Sequence, residues 1–279
     1  MTTSFEPALP FVPLTGTGVL ECTEITQENL GRLATGEAIA IVVRGYSGAD
    51  ECGQAVKRLF TDPRYKEYDN LPGVHMWGLN SSESLPDPDR KKRYFADAMP
   101  TVRALRSIWA PHLSPIDRLR LELQESWPAG ANLEYFDGHG LFVGQARVFG
   151  KMGALPHQDY MPWELASLRG TAGQASGIQA QLTANIYLQT PDRGGEVQLW
   201  SVGYDHEEYV GLREQPGVPG LDRARIPAPT VQITPEPGML LMFHATRLHA
   251  VLPSEGRPRV ALSCFIGIRG PGESLTYWS

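Results

Sequence analysis

The chain is short of every feature that would place it outside the ordinary globular proteins. Cysteine is scarce, with three residues at Cys22, Cys52 and Cys264. They are far apart, odd in number and without a CxxC spacing, so neither a disulfide framework nor a cysteine-built zinc site is expected. That usage fits a reducing compartment, and a cytoplasmic location is expected. Long apolar runs are missing too: nothing approaches the roughly 20 residues that cross a bilayer, which excludes a membrane partner. The opening "MTTSFEPALPFVPL" has no basic stretch and is broken by prolines, unlike a secretory leader. Positive charge is not in excess. The formal net charge is −6, and no basic cluster offers a footprint for nucleic acid. The densest basic run, "RKKRYF" (90–95), lies in a helical pattern among acidic residues and reads as a solvated helix face.

What is present is a chain of 279 residues, enough for one domain with a substantial core. Its pattern changes about halfway. From Thr26 to Pro128 it is mostly helical with one strand: "QENLGRLATG" reads as a short helix ending at Gly36, and "EAIAIVVRGY" as a buried strand. "SGADECGQAVKRLF" is a capped helix stopping before Pro63, and the stretch from Asp89 to Pro128 is helical with an interruption near Pro111 and Pro115. From Asn132 onward, "LFVGQARVF", "IQAQLTANIYLQ", "EVQLW", "TVQIT", "MLLMF" and "RVALSCFIGI" are short β-rich runs separated by turns. The expected fold is mainly β with a helical N-terminal half: a double-stranded β-helix (jelly roll, cupin-like) braced by helices. Residues 1–279 form a single domain, with 1–130 as helical support and 131–279 as the barrel. The Gly- and Pro-rich 203–229 is expected to be a long insertion loop.

Chemistry enters at "GALPHQDYMPWE" (153–164), where His157 and Asp159 stand two apart. Alternate residues of an extended chain share a face, so both side chains point the same way. Alone, the pair reads as readily as an exposed strand edge. A third ligand comes from "GMLLMFHATRLHAVLPSEGRPRVALSCF", where His249 follows a turn and Arg259 opens the next strand ten residues later. Two imidazoles and one carboxylate make a facial triad suited to non-haem Fe(II), with positions left open for substrate and O2. The arginine adds a planar, permanently charged fork that matches a carboxylate. Each piece is commonplace, and the combination within the strand-rich half carries the weight.

The order His157-x-Asp159, His249, Arg259 resembles the Fe(II)/2-oxoglutarate-dependent oxygenases, whose H-x-D…H…R signature sits on a double-stranded β-helix. The likeness runs from about Leu141 to the C-terminal residues. It is nearest the carrier-protein-independent branch, which holds halogenases of free alkaloids and hydroxylases of free or N-acylated amino acids. "TPDRGGEVQLW" is similar to that branch's Gly-Gly turn, and "PGMLLMF…RLHAV…GRPRVALSCFIG" to its second-histidine and arginine segment. The terminal "LTYWS" is similar to the aromatic tail of one indole-alkaloid halogenase. The helical half matches only in character.

This resemblance implies that His157, Asp159 and His249 hold Fe(II), and that 2-oxoglutarate chelates the iron while Arg259 pairs with its far carboxylate. It implies O2-dependent conversion of 2-oxoglutarate to succinate and CO2, coupled to hydroxylation of an unactivated C–H bond. An amino acid or amino-acid derivative is the first expectation for the small-molecule substrate. Halogenases of this branch carry Gly or Ala at the carboxylate position, leaving room for chloride. Asp159 therefore implies hydroxylation, with desaturation or cyclisation still open.

Other readings compete at this stage. His244 rivals His249 as third ligand. Arg257 precedes Pro258 and reads as turn surface. Arg147, in "GQARVFG", either lies on a strand surface or points into the barrel and binds a substrate carboxylate. Tyr160 and Trp163 either wall the substrate pocket or pack as core aromatics. "SLRGTAGQASG" (167–177) is a candidate lid, and "DHEE" (205–208) reads as an acidic loop tip. A non-catalytic cupin-like binding protein is the rival from another class; Arg259 speaks against it.

Overall fold

Strand parity organises the molecule. The computed structural model describes residues 6–69, 71–166, 177–213 and 220–279. Its larger sheet is built around two ten-residue strands, "AQLTANIYLQ" and "RVALSCFIGI". Both are buried along almost their whole length, as strands covered on two faces must be.

In chain order the strands of this sheet are β1 (Val19–Cys22), β2 (Ala40–Val43), β3 (Tyr65–Glu67), β4 (Val74–Trp77) and β5 (Ala131–Leu133). After the two-residue strands β6 (Tyr135–Phe136) and β7 (His139–Gly140) comes β8 (Gln145–Phe149). The next is β9 (Ala154–His157), a member of the smaller sheet, and then β10 (Ala180–Gln189). Following them are β11 (Arg193–Gly194), β12 (Val197–Leu199), β13 (Val231–Ile233), β14 (Leu240–His244) and β15 (His249–Val251). The last are β16 (Ser254–Glu255), β17 (Arg259–Ile268) and β18 (Leu275–Trp278). The large sheet runs β1-β2-β14-β10-β17-β8-β4-β3, and β18 joins β17 to β5. The smaller sheet is β13-β12-β15-β9. β11 and β16 pair by themselves, closing the "TPDRGGE" turn against the corner after β15.

The large sheet presents one set of alternate residues to the small sheet. Leu241 and Phe243 of β14, Tyr187 of β10 and Ala261 of β17 form one buried cluster with Val197 and Leu199 of β12. The other set faces the helices. Leu240, Met242, Leu182, Ile186, Leu262 and Ile266 pack with residues of α1 (Gln27–Ala34), α2 (Ala49–Thr61), α4 (Pro88–Trp109) and α5 (Pro115–Ser126), the four-residue α3 (Ser81–Ser84) lying between α2 and α4 in the chain. Those helices bury the i, i+3, i+4 positions of their sequence. Leu30, Leu33 and Ala34 do so in α1, and Ala98, Val102 and Leu105 in α4. Thr26 caps α1 through a capping box with Asn29, and prolines open α4 and α5, where a missing N–H costs nothing. Truncating one of these leucines to alanine would cost about 2–5 kcal/mol. No helix among the described residues is long and apolar enough to cross a membrane.

Two expectations need correction. The first half contains not one strand but three between Thr26 and Pro128, because "RYKEYDNLPGVHMW" folds into the β3–β4 hairpin. Its pattern is short and half exposed, so the apolar alternation is thin. Nor is 203–229 structureless. Asp205 caps a helix, α7 (His206–Gly211), through a box with Glu208. Tyr209 and Leu221 are buried against Trp200, Leu248 and Ala250; residues 214–219 lie outside the described residues.

Candidate active site

The small sheet carries the metal-ligand candidates. β9 and β15 pair antiparallel with His157 directly opposite His249, although the two are about 90 residues apart in sequence. Beyond His157 three residues outside regular structure lead into α6 (Met161–Ala166). Gln158 points the other way, and its amide exchanges hydrogen bonds with the backbone of Tyr204 at 2.9 and 2.8 Å. The Asp159 N–H donates to the carbonyl of Ala245 at 2.9 Å. These ties fix the alternation that puts His157 and Asp159 on one side.

The result is a compact set. Ligand-capable atoms of His157, Asp159 and His249 all lie within 4.8 Å of one another. Asp159 Oδ2 is 3.4 Å from His249 Nε2 and 3.9 Å from His157 Nε2, and the imidazole centroids are 4.2 Å apart. Each ring is oriented by the carbonyl two residues before it: Leu155 O is 2.7 Å from His157 Nδ1, and Arg247 O is 3.0 Å from His249 Nδ1. A carbonyl only accepts, so Nδ1 carries the proton and Nε2 presents its lone pair to the common centre.

Electrostatics favour the ligating forms. Burial, followed by the charge of His249, lowers His157 to about 4, so it is neutral at physiological pH. Burial alone would raise Asp159. The nearby His249 and His157 rings and the charge of Arg147 outweigh it and hold the carboxyl well below the usual range. A neutral His157, the Nε2 lone pair of His249 and an ionised carboxylate are what a divalent cation requires, so the residues present fit Fe(II).

The triad opens into a narrow cleft between the two sheets. Its far wall is the inward face of the large sheet, where Thr183, Asn185 and Tyr187 alternate along β10 and Arg147 and Phe149 along β8. Arg259 closes one end. It is 4% exposed, its Nη2 donates to the Tyr187 hydroxyl at 3.2 Å, and its guanidinium lies over the rings of Tyr187 and Phe149. Its Nε has no partner, and among the described residues no carboxylate pairs with it. A buried cation in that condition calls for an anionic ligand.

The other candidates separate cleanly. His244 shares parity with Leu240 and Met242, so it faces the helices, where its Nε2–H donates to Leu33 O at 2.7 Å. Arg257 is on the surface with Asp192. Arg147 points into the cleft. Tyr160 and Trp163 lie outside the cleft wall. Trp163 stacks on Phe11 at 4.7 Å, and Tyr160 meets both rings edge-on while its hydroxyl donates to Ile178 O. Of the candidate lid 167–177, residues 167–176 lie outside the described residues. Sequence reasoning passed over Tyr187, Asn185 and Thr183. Their signal was visible as polar residues alternating with apolar ones in "LTANIYL".

Comparison with known proteins bears on this geometry. Residues 144–267 match the 2OG-Fe(II) oxygenase superfamily. The chain is 28% identical over 277 residues to L-gamma-glutamyl-L-propargylglycine hydroxylase of Streptantibioticus cattleyicolor, covering 93% of this chain and 95% of the relative. Its fold is similar to an N-substituted L-amino acid dioxygenase from Burkholderia ambifaria AMMD, with a TM-score of 0.58 at 16% identity and full coverage of both chains. The alpha-KG complex of that dioxygenase gives a TM-score of 0.55 at 17% identity over 90% of each chain.

Proposed function

We propose that this chain, whose residues 144–267 match the 2OG-Fe(II) oxygenase superfamily, is an Fe(II)- and 2-oxoglutarate-dependent dioxygenase that hydroxylates an amino acid or amino-acid derivative. In this reading His157, Asp159 and His249 hold the iron and Arg259 takes the far carboxylate of 2-oxoglutarate. The observation that carries the assignment is the convergence of three ligand side chains, their atoms within 4.8 Å of one another, on a cleft whose buried arginine has no carboxylate partner among the described residues. The substrate class is supported by the relative that acts on L-gamma-glutamyl-L-propargylglycine.

Bound iron with 2-oxoglutarate and O2 supplies the oxidising power; the protein contributes position and environment. The Leu155 and Arg247 carbonyls keep both imidazoles turned to the metal. Arg259 and Tyr187 fix the orientation of the co-substrate along β17 and β10. Phe149, Phe243 and Val251 line the cleft with apolar surface that limits water around the reacting groups. Asp159 occupies the position that a halogenase leaves vacant, which supports hydroxylation over chlorination.

The whole chain acts as one unit in this proposal, a double-stranded β-helix with residues 1–130 as its helical support. Three free cysteines, none paired with another, support a cytoplasmic setting. The test is anaerobic titration with Fe(II) and 2-oxoglutarate, followed by the weak visible charge-transfer band of the chelate. A band that needs both components and is lost in His157→Ala supports the assignment. Metal uptake with no band, or a band retained in that variant, overturns it.

A further inference from the structure

The site just proposed leaves one cation of the cleft without a task. Arg147 stands on β8 opposite Ala261, on the same inward face as Arg259. Arg259 opposes Phe149, two residues further along β8, a displacement of about 7 Å. The two guanidinium groups therefore serve different parts of the cleft.

Arg147 is held in place. Its Nε donates to Gln145 Oε1 at 3.1 Å. Gln145 is itself buried, accepting from the Tyr68 hydroxyl at 2.9 Å and donating to Leu79 O at 3.1 Å. The guanidinium also lies over the Phe265 ring, 5.2 Å from its centroid. Every one of these partners is neutral, and among the described residues no carboxylate forms an ion pair with Arg147. Two acids lie within its field: Asp159, which sits with the two histidines and makes no ion pair with Arg147, and Glu164 on α6. Burial and the charge of Asp159 raise Glu164 to about 7, so it is a poor counter-ion. An arginine fixed through Nε and a ring face, with no anion on its terminal nitrogens, is a receptor for a carboxylate.

2-Oxoglutarate does not answer that need, because Arg259 meets its far carboxylate and the metal its near one. A second molecule with its own carboxylate does. Resting on the amino-acid reading above, we propose that Arg147 binds the α-carboxylate of the substrate and so determines which carbon faces the triad. The substrate then requires a free carboxylate, while its nitrogen is not the anchor and tolerates substitution.

The experiment uses full-length protein loaded with Mn(II) and 2-oxoglutarate, so that binding is read by calorimetry without turnover. The probes are N-acetyl-L-leucine and its carboxamide, and L-gamma-glutamyl-L-propargylglycine with each of its two monoamides, at the glutamyl α-carboxylate and at the C-terminus. Wild type should bind at least one acid roughly 10- to 100-fold more tightly than its amide. Arg147→Met should erase that preference, and Arg147→Lys should restore part of it. Affinity for 2-oxoglutarate should stay at the wild-type value in both variants, which also reports that they are folded. An acid–amide preference that survives in Arg147→Met overturns the proposal, as does a variant weakened toward 2-oxoglutarate instead. Equal binding of acid and amide by wild type overturns Arg147's role and leaves the substrate class standing. Failure of wild type to bind any acid, with 2-oxoglutarate bound normally, overturns both.

Discussion

Replacing Arg259 with methionine tests the co-substrate site most directly. Methionine keeps an unbranched stem between the rings of Phe149 and Tyr187, with which a thioether packs well, and removes only the charged fork. Because Arg259 is buried, water cannot replace the pair that is lost. Truncating one partner of a buried, hydrogen-bonded charge pair costs about 2–5 kcal/mol. The loss falls toward the low end of that range, because the Tyr187 hydroxyl, which accepts from Arg259, stays in the same corner. A loss of about 2–4 kcal/mol weakens 2-oxoglutarate binding roughly 30- to 1,000-fold. The assay is anaerobic calorimetry of Fe(II)-loaded protein with 2-oxoglutarate and with 2-oxopentanoate, which keeps the chelating end and lacks the far carboxylate. Wild type should prefer 2-oxoglutarate by the same factor, and Arg259→Met should bind the two ligands alike, closing a double-deletion cycle. If the variant still discriminates, another residue holds the far carboxylate. If it loses both ligands equally, the cleft has collapsed and the pairing argument fails.

The remaining expectations are narrower. Asp159→Gly should abolish hydroxylation and weaken Fe(II) binding by at least roughly tenfold; full product formation in that variant would remove Asp159 from the ligand set. Burial, followed by the charge of Arg247, lowers His244 to about 4 from 6.5, so its stabilising contribution is complete above pH 6.5 and is lost as pH falls through 4. By pH 5 that amounts to about 2 kcal/mol. Urea midpoints of the metal-free protein should therefore drop less between pH 7 and pH 5 in His244→Gln than in wild type, and parallel drops count against it. Gly194 sits at φ +75°, where an added Cβ would lie 2.2 Å from Pro253 O. Gly194→Ala should lower Tm by roughly 5 °C or more; an unchanged Tm would show that the β11–β16 corner relaxes freely.

Much of this was legible in the chain because the relevant periods are short. Two-residue alternation announces the β-rich runs, and it also places His157 and Asp159 on one side. The same parity, applied to "LLMFH", would have excluded His244, since Leu240, Met242 and His244 share the helix-facing side. What sequence could not show is non-local. Tyr160 and Trp163 read equally well as pocket wall or packing until Phe11, about 150 residues earlier, is seen stacked on Trp163. The Arg259–Tyr187 contact joins two strands whose register no local pattern specifies. The helix at His206–Gly211 was within reach, because Asp205 and Glu208 have the spacing of a capping box. The abundance of glycine and proline after it obscured that signal.

The two sheets divide the chemistry between them. All three metal-ligand candidates belong to the small sheet and the turn that leaves it, while both arginines of the cleft belong to the large one. Neither sheet alone makes a site. A co-substrate that chelates at the triad and reaches Arg259 must bridge the sheets, and so would a substrate anchored on Arg147. The distance between anchor and metal is then set by how the sheets pack. That packing rests on the cluster of Tyr187, Leu241, Phe243 and Ala261 against Val197 and Leu199. A cavity made in this cluster would loosen the site without touching a ligand, since close-packed interiors transmit strain over such short paths. The apolar cluster is thus the spacer of the active site as well as part of its core, because it shares the inward face of the large sheet with the residues that line the cleft.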